Sequence, residues 1–157
     1  SPRDWSSDVC SSDLIDETRG KLFIAETVAG NVLSYTVDLG TGALTDRALL
    51  ATVLSPDNVE QAADGALWVA SPMANQVLEI NPDTGETRVA FSAQTETGAA
   101  VAAEYVRRGE AGEPRAELMA PDVWAPLPGL VTGVIHTPGG GPVYVSGLGD
   151  ALLKIEE

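Results

Sequence analysis

Cysteine, histidine, aromatic residues and cations are all scarce in this chain of 157 residues. It has a single cysteine, Cys10, so a disulfide framework and a cysteine metal site are both excluded, and the redox compartment is left open. Lysine and arginine number 9 against 23 aspartate and glutamate residues, which gives a net charge of −14. So acidic a chain repels nucleic acid and anionic membrane surfaces. No stretch is apolar and long enough to cross a membrane.

The first residues, 1–14, show no apolar period and are dominated by serine and aspartate. Residues 4–14 resemble a translated sequencing adapter, so we expect the segment 1–14 to be non-native. We also expect that no part of it packs into the domain, and a buried Trp5 or Val9 would contradict this. An adapter at this place implies that the true N-terminus is missing, so the compartment of the protein stays unknown.

What the rest of the chain does contain is an internal repeat. Each copy has an apolar strand, a short polar link and a second apolar strand, which is a β-hairpin pattern. The first two copies correspond without a gap at an offset of 45 residues. A strand-built repeat of this length is typical of propeller blades. The copies lie at Gly20–Tyr35, Gly65–Ile80 and Gly141–Ile155.

Each of the first two hairpins is followed by a turn and a further strand. The turns, Asp38–Gly42 and Asn81–Gly85, are rich in Asp, Thr and Gly. The strands that leave them are Leu49–Val53 and Glu86–Phe91. The sequence therefore predicts an all-β fold of about three blades, each a four-stranded meander. An isolated arc of this kind is expected to leave long strand edges unpaired at its two ends.

An insertion near 98–120 interrupts the repeat before the third copy. Gly98–Arg108 is alanine-rich and predicts a short helix that ends at Gly109, and Ala116–Ala120 predicts another helical turn. Two readings are open for the large side chains of this region. They form a lid over a site, or they plug a blade edge; the residues concerned are Tyr105, Met119 and Trp124.

The candidate site is the pair Asp57 and Asn58. Pro56 precedes them and favours an extended conformation for Ser55. A carboxylate beside an amide carbonyl suits a hard cation such as calcium. The competing interpretation is an ordinary turn in which Asp57 or Asn58 bonds its own backbone.

Two motifs in order resemble the superfamily of gluconolactonase, regucalcin (SMP-30) and strictosidine synthase-like proteins. They are Gly20-x-Leu-Phe-Ile-Ala-Glu-Thr27 with its following Asn31-Val-Leu-x-Tyr35, and Pro56-Asp57-Asn58 with Asp64-Gly65-x-Leu-Trp68-Val. The resemblance implies that residues 15–157 are the C-terminal part of a six-bladed β-propeller. It also implies a divalent cation, usually calcium, in the central channel and a lactone or ester as small-molecule substrate.

The resemblance makes Asp57 the expected catalytic residue and metal ligand, because it matches the aspartate of the family's Pro-Asp-Gly segment. Asp57 and Asn58 together resemble the Asp-Asn metal pair of paraoxonase-like members. Two further family ligands, a first-blade glutamate and an asparagine before the strand at Gly20, are expected to be missing. We transfer no role to Asp16 or Glu17, and we expect this part of the parent protein, without its N-terminal blades, to be inactive by itself.

Two alternatives to a hydrolase stay open. One is a non-catalytic binding platform of the NHL type, since a propeller fold does not settle function. The other is a strictosidine synthase-like protein without synthase activity, because Leu130–Gly133 lacks the carboxylate that the synthase carries there. The lone His136 lies in an apolar strand and is expected to be structural.

Overall fold

The computed structural model describes residues 10–120 and 128–155, which form three antiparallel sheets and one long helix. Each sheet is a meander in which consecutive strands are neighbours. We call the three sheets blade 1, blade 2 and blade 3. Blade 1 contains β1 (Cys10–Asp16), β2 (Lys21–Glu26), β3 (Asn31–Val37) and β4 (Leu44–Thr52).

Blade 2 repeats this arrangement with shorter strands, whereas blade 3 has three strands in the described residues instead of the predicted four. Blade 2 contains β5 (Val59–Gln61), β6 (Leu67–Ser71), β7 (Gln76–Ile80) and β8 (Thr87–Ser92). Between the blades lie the helix α1 (Glu96–Ala111) and a 3-10 turn (Ala116–Met119). Blade 3 contains β9 (Val131–His136), β10 (Val143–Gly147) and β11 (Leu153–Ile155).

The turns of blades 1 and 2 are built by the same hydrogen bonds, which confirms the repeat. Asp38 Oδ1 accepts the backbone N–H groups of Gly40 and Thr41, each at 2.9 Å. Asn81 Oδ1 accepts those of Asp83 and Thr84 at 2.9 and 3.1 Å. In each turn, a side-chain oxygen at the first position therefore accepts backbone N–H groups at the point where the strand ladder ends. The predicted four-stranded meander is confirmed for both blades.

The blades pack face to face, with their first strands β1, β5 and β9 side by side. We call the side of a blade that meets the following blade its front face, and the opposite side its back face. The front of blade 1 packs on the back of blade 2 in one apolar cluster. Its buried members include Phe23, Ala25 and Val32 from blade 1, and Val59, Leu67, Val69 and Ile80 from blade 2.

The second apolar cluster joins blade 2 to blade 3 in the same way. Trp68, Ala70 and Val77 on the front of blade 2 meet the back of blade 3. Because both junctions use the same strands and the same alternation of side chains, the architecture is that of a partial β-propeller. The back of blade 3 contributes Val134, Val143 and Val145.

The expectation that residues 1–14 stay out of the domain is wrong for residues 10–14. These residues form most of β1 and pair with β2, with Leu14 opposite Phe23. Leu14 also packs on the first cluster, and Ser12 Oγ accepts the N–H of Val59 at 3.1 Å. Strand pairing uses backbone groups, so a segment without an apolar period can still complete a sheet edge. Trp5 and Val9 lie outside the described residues.

The ends of the arc also differ from the expectation of unpaired strand edges. Stacked blades meet through their faces, and single apolar side chains are exposed on the back of blade 1 and on the front of blade 3. On the back of blade 1, Ile15 is 53% exposed, and on the front of blade 3, Ile135 is 60% exposed. Both residues belong to the innermost strand of their blade. At the two junctions within the chain, the equivalent positions lie between two blades.

Helix α1 is longer than predicted at both ends. It starts after Thr95, whose side chain accepts the N–H of Gly98, and it ends at Gly112 with a left-handed φ of 68°. The prediction that the helix ends at Gly109 was therefore wrong, because Gly109 lies inside the helix. Tyr105 is 5% exposed and packs on Met73 and Leu130, as the blade-plug reading predicts.

The other two large residues of the insertion are not part of this plug. Met119 is 37% exposed, and Trp124 lies outside the described residues.

In the stretches 10–120 and 128–155, no helix is long and apolar enough to cross a membrane.

Candidate functional site

Asp57 and Asn58 lie at the start of the innermost strand of blade 2. The N–H of Asp57 donates to the carbonyl of Ala70 at 2.9 Å, and the N–H of Ala70 donates to the carbonyl of Asn58 at 2.9 Å. These bonds extend the β5–β6 pairing beyond Val59. The backbone of the pair is therefore fixed by the sheet.

The residue before this pair departs from the sequence prediction. Ser55 has a φ of 46°, in the left-handed region, although Pro56 was expected to hold it extended. Ser55 is buried, and its Oγ accepts the N–H of Met73 at 3.0 Å. Ser71 is also buried and donates its hydroxyl to the carbonyl of Leu54. These two hydrogen bonds hold the chain in a conformation that local preference opposes.

The side chain of Asn58 joins two blades. Its Oδ1 accepts the N–H of Val134 in β9 at 3.0 Å. Ser12 occupies the equivalent position of blade 1, and its Oγ accepts the N–H of Val59 in β5 at 3.1 Å. The same inter-blade hydrogen bond thus occurs at both junctions. The amide oxygen of Asn58 has a second lone pair, so this bond occupies one of its two acceptor positions.

Asp57 is partly buried, and its backbone belongs to the inner strand ladder. The described ranges contain no group of three or more His, Cys, Asp and Glu side chains that could hold a metal ion. Calcium takes roughly six to eight oxygen ligands. The pair Asp57 and Asn58 has the right donor chemistry but supplies only part of such a set, so its metal role stays a prediction.

A cavity of about 570 Å³ opens on the same side of the blades. Its walls are the turn 27–30, the link 52–55 and one side of helix α1. Ser55 lines the cavity, and Asp57 follows Ser55 two positions later in the sequence. Arg115 also lines it, with its guanidinium 4.4 Å above the ring of Tyr105.

Asn75 is a second polar residue on this side, and the sequence prediction missed it. It is 1% exposed with a φ of 52°. Its Oδ1 accepts the N–H of Val131 at 3.0 Å, and its Nδ2 donates to the carbonyl of Ala93 at 3.1 Å. The sequence did carry a signal for the backbone conformation of Asn75, because Asn75 aligns in the repeat with Gly30 and both residue types tolerate a positive φ. The φ of Gly30 is 73°.

A charged cluster lies at the opposite end of the inner strands. Asp16 is buried and accepts hydrogen bonds from Arg19 Nη1 and Gln61 Nε2, both at 2.7 Å. Burial raises the pKa of Asp16, but the bonds from Arg19 and Gln61 outweigh it and the pKa lies below its ordinary value. A second cavity of about 390 Å³ on this side is lined by Arg19, Asp83 and other polar residues.

His136 packs edge-on against Trp68, with ring centroids 4.6 Å apart. Both ring nitrogens are buried, and neither has a hydrogen-bond partner among the described residues. The ring is part of the junction between blades 2 and 3, away from the chain segment of Asp57. Its expected structural role agrees with this packing.

No known family profile matches the sequence, and no curated protein matches it. Solved structures do match the fold. A luciferin-regenerating enzyme is 15% identical, with a TM-score of 0.59. The match covers 87% of this chain and 36% of the enzyme's chain. A gluconolactonase from Xanthomonas campestris is 16% identical with a TM-score of 0.59, over 92% of this chain and 36% of its own.

Virginiamycin B lyase from Staphylococcus aureus is 12% identical with a TM-score of 0.57, over 96% of this chain and 39% of its own. These neighbours are six-bladed propellers of the gluconolactonase-like type, which confirms the predicted resemblance at the level of the fold. The chain spans about two fifths or less of the length of each.

Proposed function

We propose that this chain is part of a metal-assisted hydrolase of lactone or ester bonds, in which Asp57 is a ligand of the cation, most simply calcium. The observation that carries the proposal is the position of Asp57 at the start of an innermost blade strand, on a backbone fixed by the sheet. A gluconolactonase among the neighbours in fold supports the choice of reaction.

The donor chemistry of the pair supports a hard cation. Asp57 offers a carboxylate, and Asn58 offers the lone pair that its bond to Val134 leaves over. The resemblance implies that the remaining ligands would come from the N-terminal blades of the parent protein. When bound, such an ion would act as a Lewis acid toward the carbonyl of the substrate.

The residues around Asp57 would serve to hold it in place. The left-handed turn at Ser55 and the buried ring of Pro56 fix the direction from which the chain enters β5. Asn58 fixes β5 against β9. Catalytic side chains work best when surrounding hydrogen bonds restrict them, so these contacts are the expected positioning elements.

A non-catalytic binding platform of the NHL type is the second candidate, and a strictosidine synthase-like protein without synthase activity is a variant of it. The observation that favours this candidate is the use of Asn58 as an inter-blade bond, which Ser12 repeats without any ligand role. In that case Asp57 would have a structural role at the start of the inner strand.

Calcium titration of the parent protein that contains this chain, with and without Asp57→Asn, separates the two candidates. We expect calcium to bind the unaltered parent protein and the affinity of its Asp57→Asn variant to fall at least about tenfold, because a charged ligand is lost. Asp150→Asn removes the same charge from an exposed turn and is the matched control. Isothermal titration calorimetry measures binding, and a pH-indicator assay with a simple lactone follows any hydrolysis. Equal calcium affinity in both variants would reject the site.

A further inference from the structure

The cavity between helix α1 and the hairpin tip of blade 1 has the size of a small-molecule site. Its volume of about 570 Å³ lies within the usual range for ligand pockets. Apolar side chains line both of its walls, Val28 on the blade tip and Val106 on the helix, and both are exposed in the structure. Val53 and Leu54 also line it. An apolar group that entered the cavity would therefore cover Val28 and Val106 from water.

Arg115 gives this cavity a cation that is available to a ligand. In the ranges 10–120 and 128–155, each of the other arginines forms an ion pair with a carboxylate, whereas Arg115 forms none there; the paired arginines are Arg19, Arg47, Arg88, Arg107 and Arg108. The guanidinium of Arg115 lies instead over the ring of Tyr105, at 4.4 Å from the centroid. Tyr105 is buried against Met73 and Leu130, so the ring holds the cation at the cavity wall.

Gly109 leaves room for this guanidinium. A Cβ at Gly109 would lie 2.6 Å from Arg115 Nη1, which is closer than real contacts allow. Glycine disfavours a helix interior relative to alanine, and Gly109 lies inside α1. The placement of the cation thus depends on a residue that the helix by itself does not favour.

We propose that this cavity binds a small organic monocarboxylate, with the carboxylate on Arg115 and the apolar chain between Val28 and Val106. The planar guanidinium presents paired N–H donors that match the two oxygens of a carboxylate. Glu110 also lines the cavity and is exposed, so its charge opposes a ligand with two negative charges. This site is separate from Asp57 and goes beyond the proposed metal-assisted reaction.

Hexanoate is a suitable probe, titrated by calorimetry into the parent protein that contains this chain, with EDTA present to remove calcium. We expect hexanoate to bind, and its affinity to exceed that of butyrate by roughly three- to fourfold for each added methylene group. Hexanamide has nearly the same shape without the charge. It should bind at least about tenfold more weakly, because a hydrogen bond to an ionised group is stronger than one to a neutral group.

Two variants test the cation and its placement. Arg115→Gln removes the charge and should weaken hexanoate binding at least about tenfold. Gly109→Ala keeps the charge and favours the helix, but it displaces the guanidinium and should weaken binding at least about threefold. Arg88→Gln removes an arginine from an exposed ion pair beside the other cavity and is the matched control, with unchanged affinity expected. Circular dichroism checks that all three variants keep the fold.

Several results would overturn the proposal. They are the absence of hexanoate binding to the unaltered parent protein, equal binding of hexanamide, and unchanged affinity in Arg115→Gln or Gly109→Ala. Binding that requires calcium, or that is lost in Asp57→Asn, would also overturn it, because the carboxylate would then bind at the metal. A parent protein that binds hexanoate but no calcium would reject the hydrolase and leave this site intact.

Discussion

The hairpin tips of blades 1 and 2 have equivalent sequences but different environments. In blade 2, Met73 is fully buried beneath Tyr105 of helix α1, and Asn75 bonds to neighbouring segments. In blade 1, the equivalent Val28 is 50% exposed, and the equivalent Gly30 has no side chain to bond with. The blades therefore share the residues that make a hairpin and differ in the residues that recruit other parts of the chain.

This difference shows where the repeat has been specialised. The tip of blade 2 anchors the inserted helix and the start of β9, so it organises the side on which Asp57 lies. The tip of blade 1 lines the open cavity in front of that helix. Substitutions that make one tip resemble the other test whether anchoring depends on these side chains.

Met73→Ala should have the largest effect of these substitutions. Removing a fully buried side chain between Tyr105 and Leu130 leaves a cavity and should lower the free energy of unfolding by about 2–5 kcal/mol. Val28→Ala, the equivalent change in blade 1, should cost only about 0.5 kcal/mol or less because half of the side chain is exposed. Urea unfolding followed by circular dichroism measures both, and similar losses would contradict the anchoring role of blade 2.

Asn75→Gly converts the tip of blade 2 into that of blade 1 while keeping a residue that accepts the left-handed φ. The N–H of Val131 loses its acceptor, so the free energy of unfolding should fall by about 1–3 kcal/mol. The reverse change, Gly30→Asn, should cost about 1 kcal/mol or more, because its Cβ would lie 3.2 Å from the carbonyl oxygen of Val53, although asparagine adopts positive φ more readily than most residues. Hydrogen exchange at Val131 gives a local readout, and unchanged protection there would refute the bond.

Asp16→Asn should have the smallest effect, and it should depend on pH. The pKa of Asp16 is lower in the folded protein than its ordinary value, so its contribution is present above the ordinary pKa and lost as pH falls through the folded pKa. Blade 2 has Ala62 at the equivalent position, and alanine makes no pH-dependent contribution to the free energy of unfolding. Melting temperatures between pH 7 and about pH 3 should fall less steeply in the variant. Parallel curves would show that Asp16 is not responsible.

The sequence predicted the blades well because the signals for a hairpin are local. The alternation of Leu22 to Ala25, the oxygen-bearing turn residues Asp38 and Asn81, and the repeat offset all act within a few positions of where they are read. Each of these features agrees with the structure.

The contacts between blades could not be predicted in the same way. Asn58 bonds to Val134, and Asn75 to Val131, across separations of 76 and 56 residues. Such bonds depend on how the sheets stack, which no single hairpin encodes. The prediction for Asp57 and Asn58 did not foresee that the amide of Asn58 joins two blades, and the role of the pair in metal binding stays a prediction.

Two of the wrong local predictions have different physical causes. Ser55 was expected to be extended, but hydrogen bonds from other segments override the preference of a residue before proline. Residues 10–14 were expected to stay apart because they resemble a translated sequencing adapter and show no apolar period. Pairing with β2, however, requires only backbone groups and an occasional side chain such as that of Leu14.

The permissive nature of β1 has a practical consequence for protein engineering. Its neighbour β2 supplies the apolar surface, while β1 contributes main-chain hydrogen bonds, the partly buried Leu14, the hydroxyl of Ser12 and the buried carboxylate of Asp16. A foreign peptide that preserves those three side chains should be accepted at this position, so an epitope or a fluorophore-bearing graft could be placed there without redesigning the remaining blades.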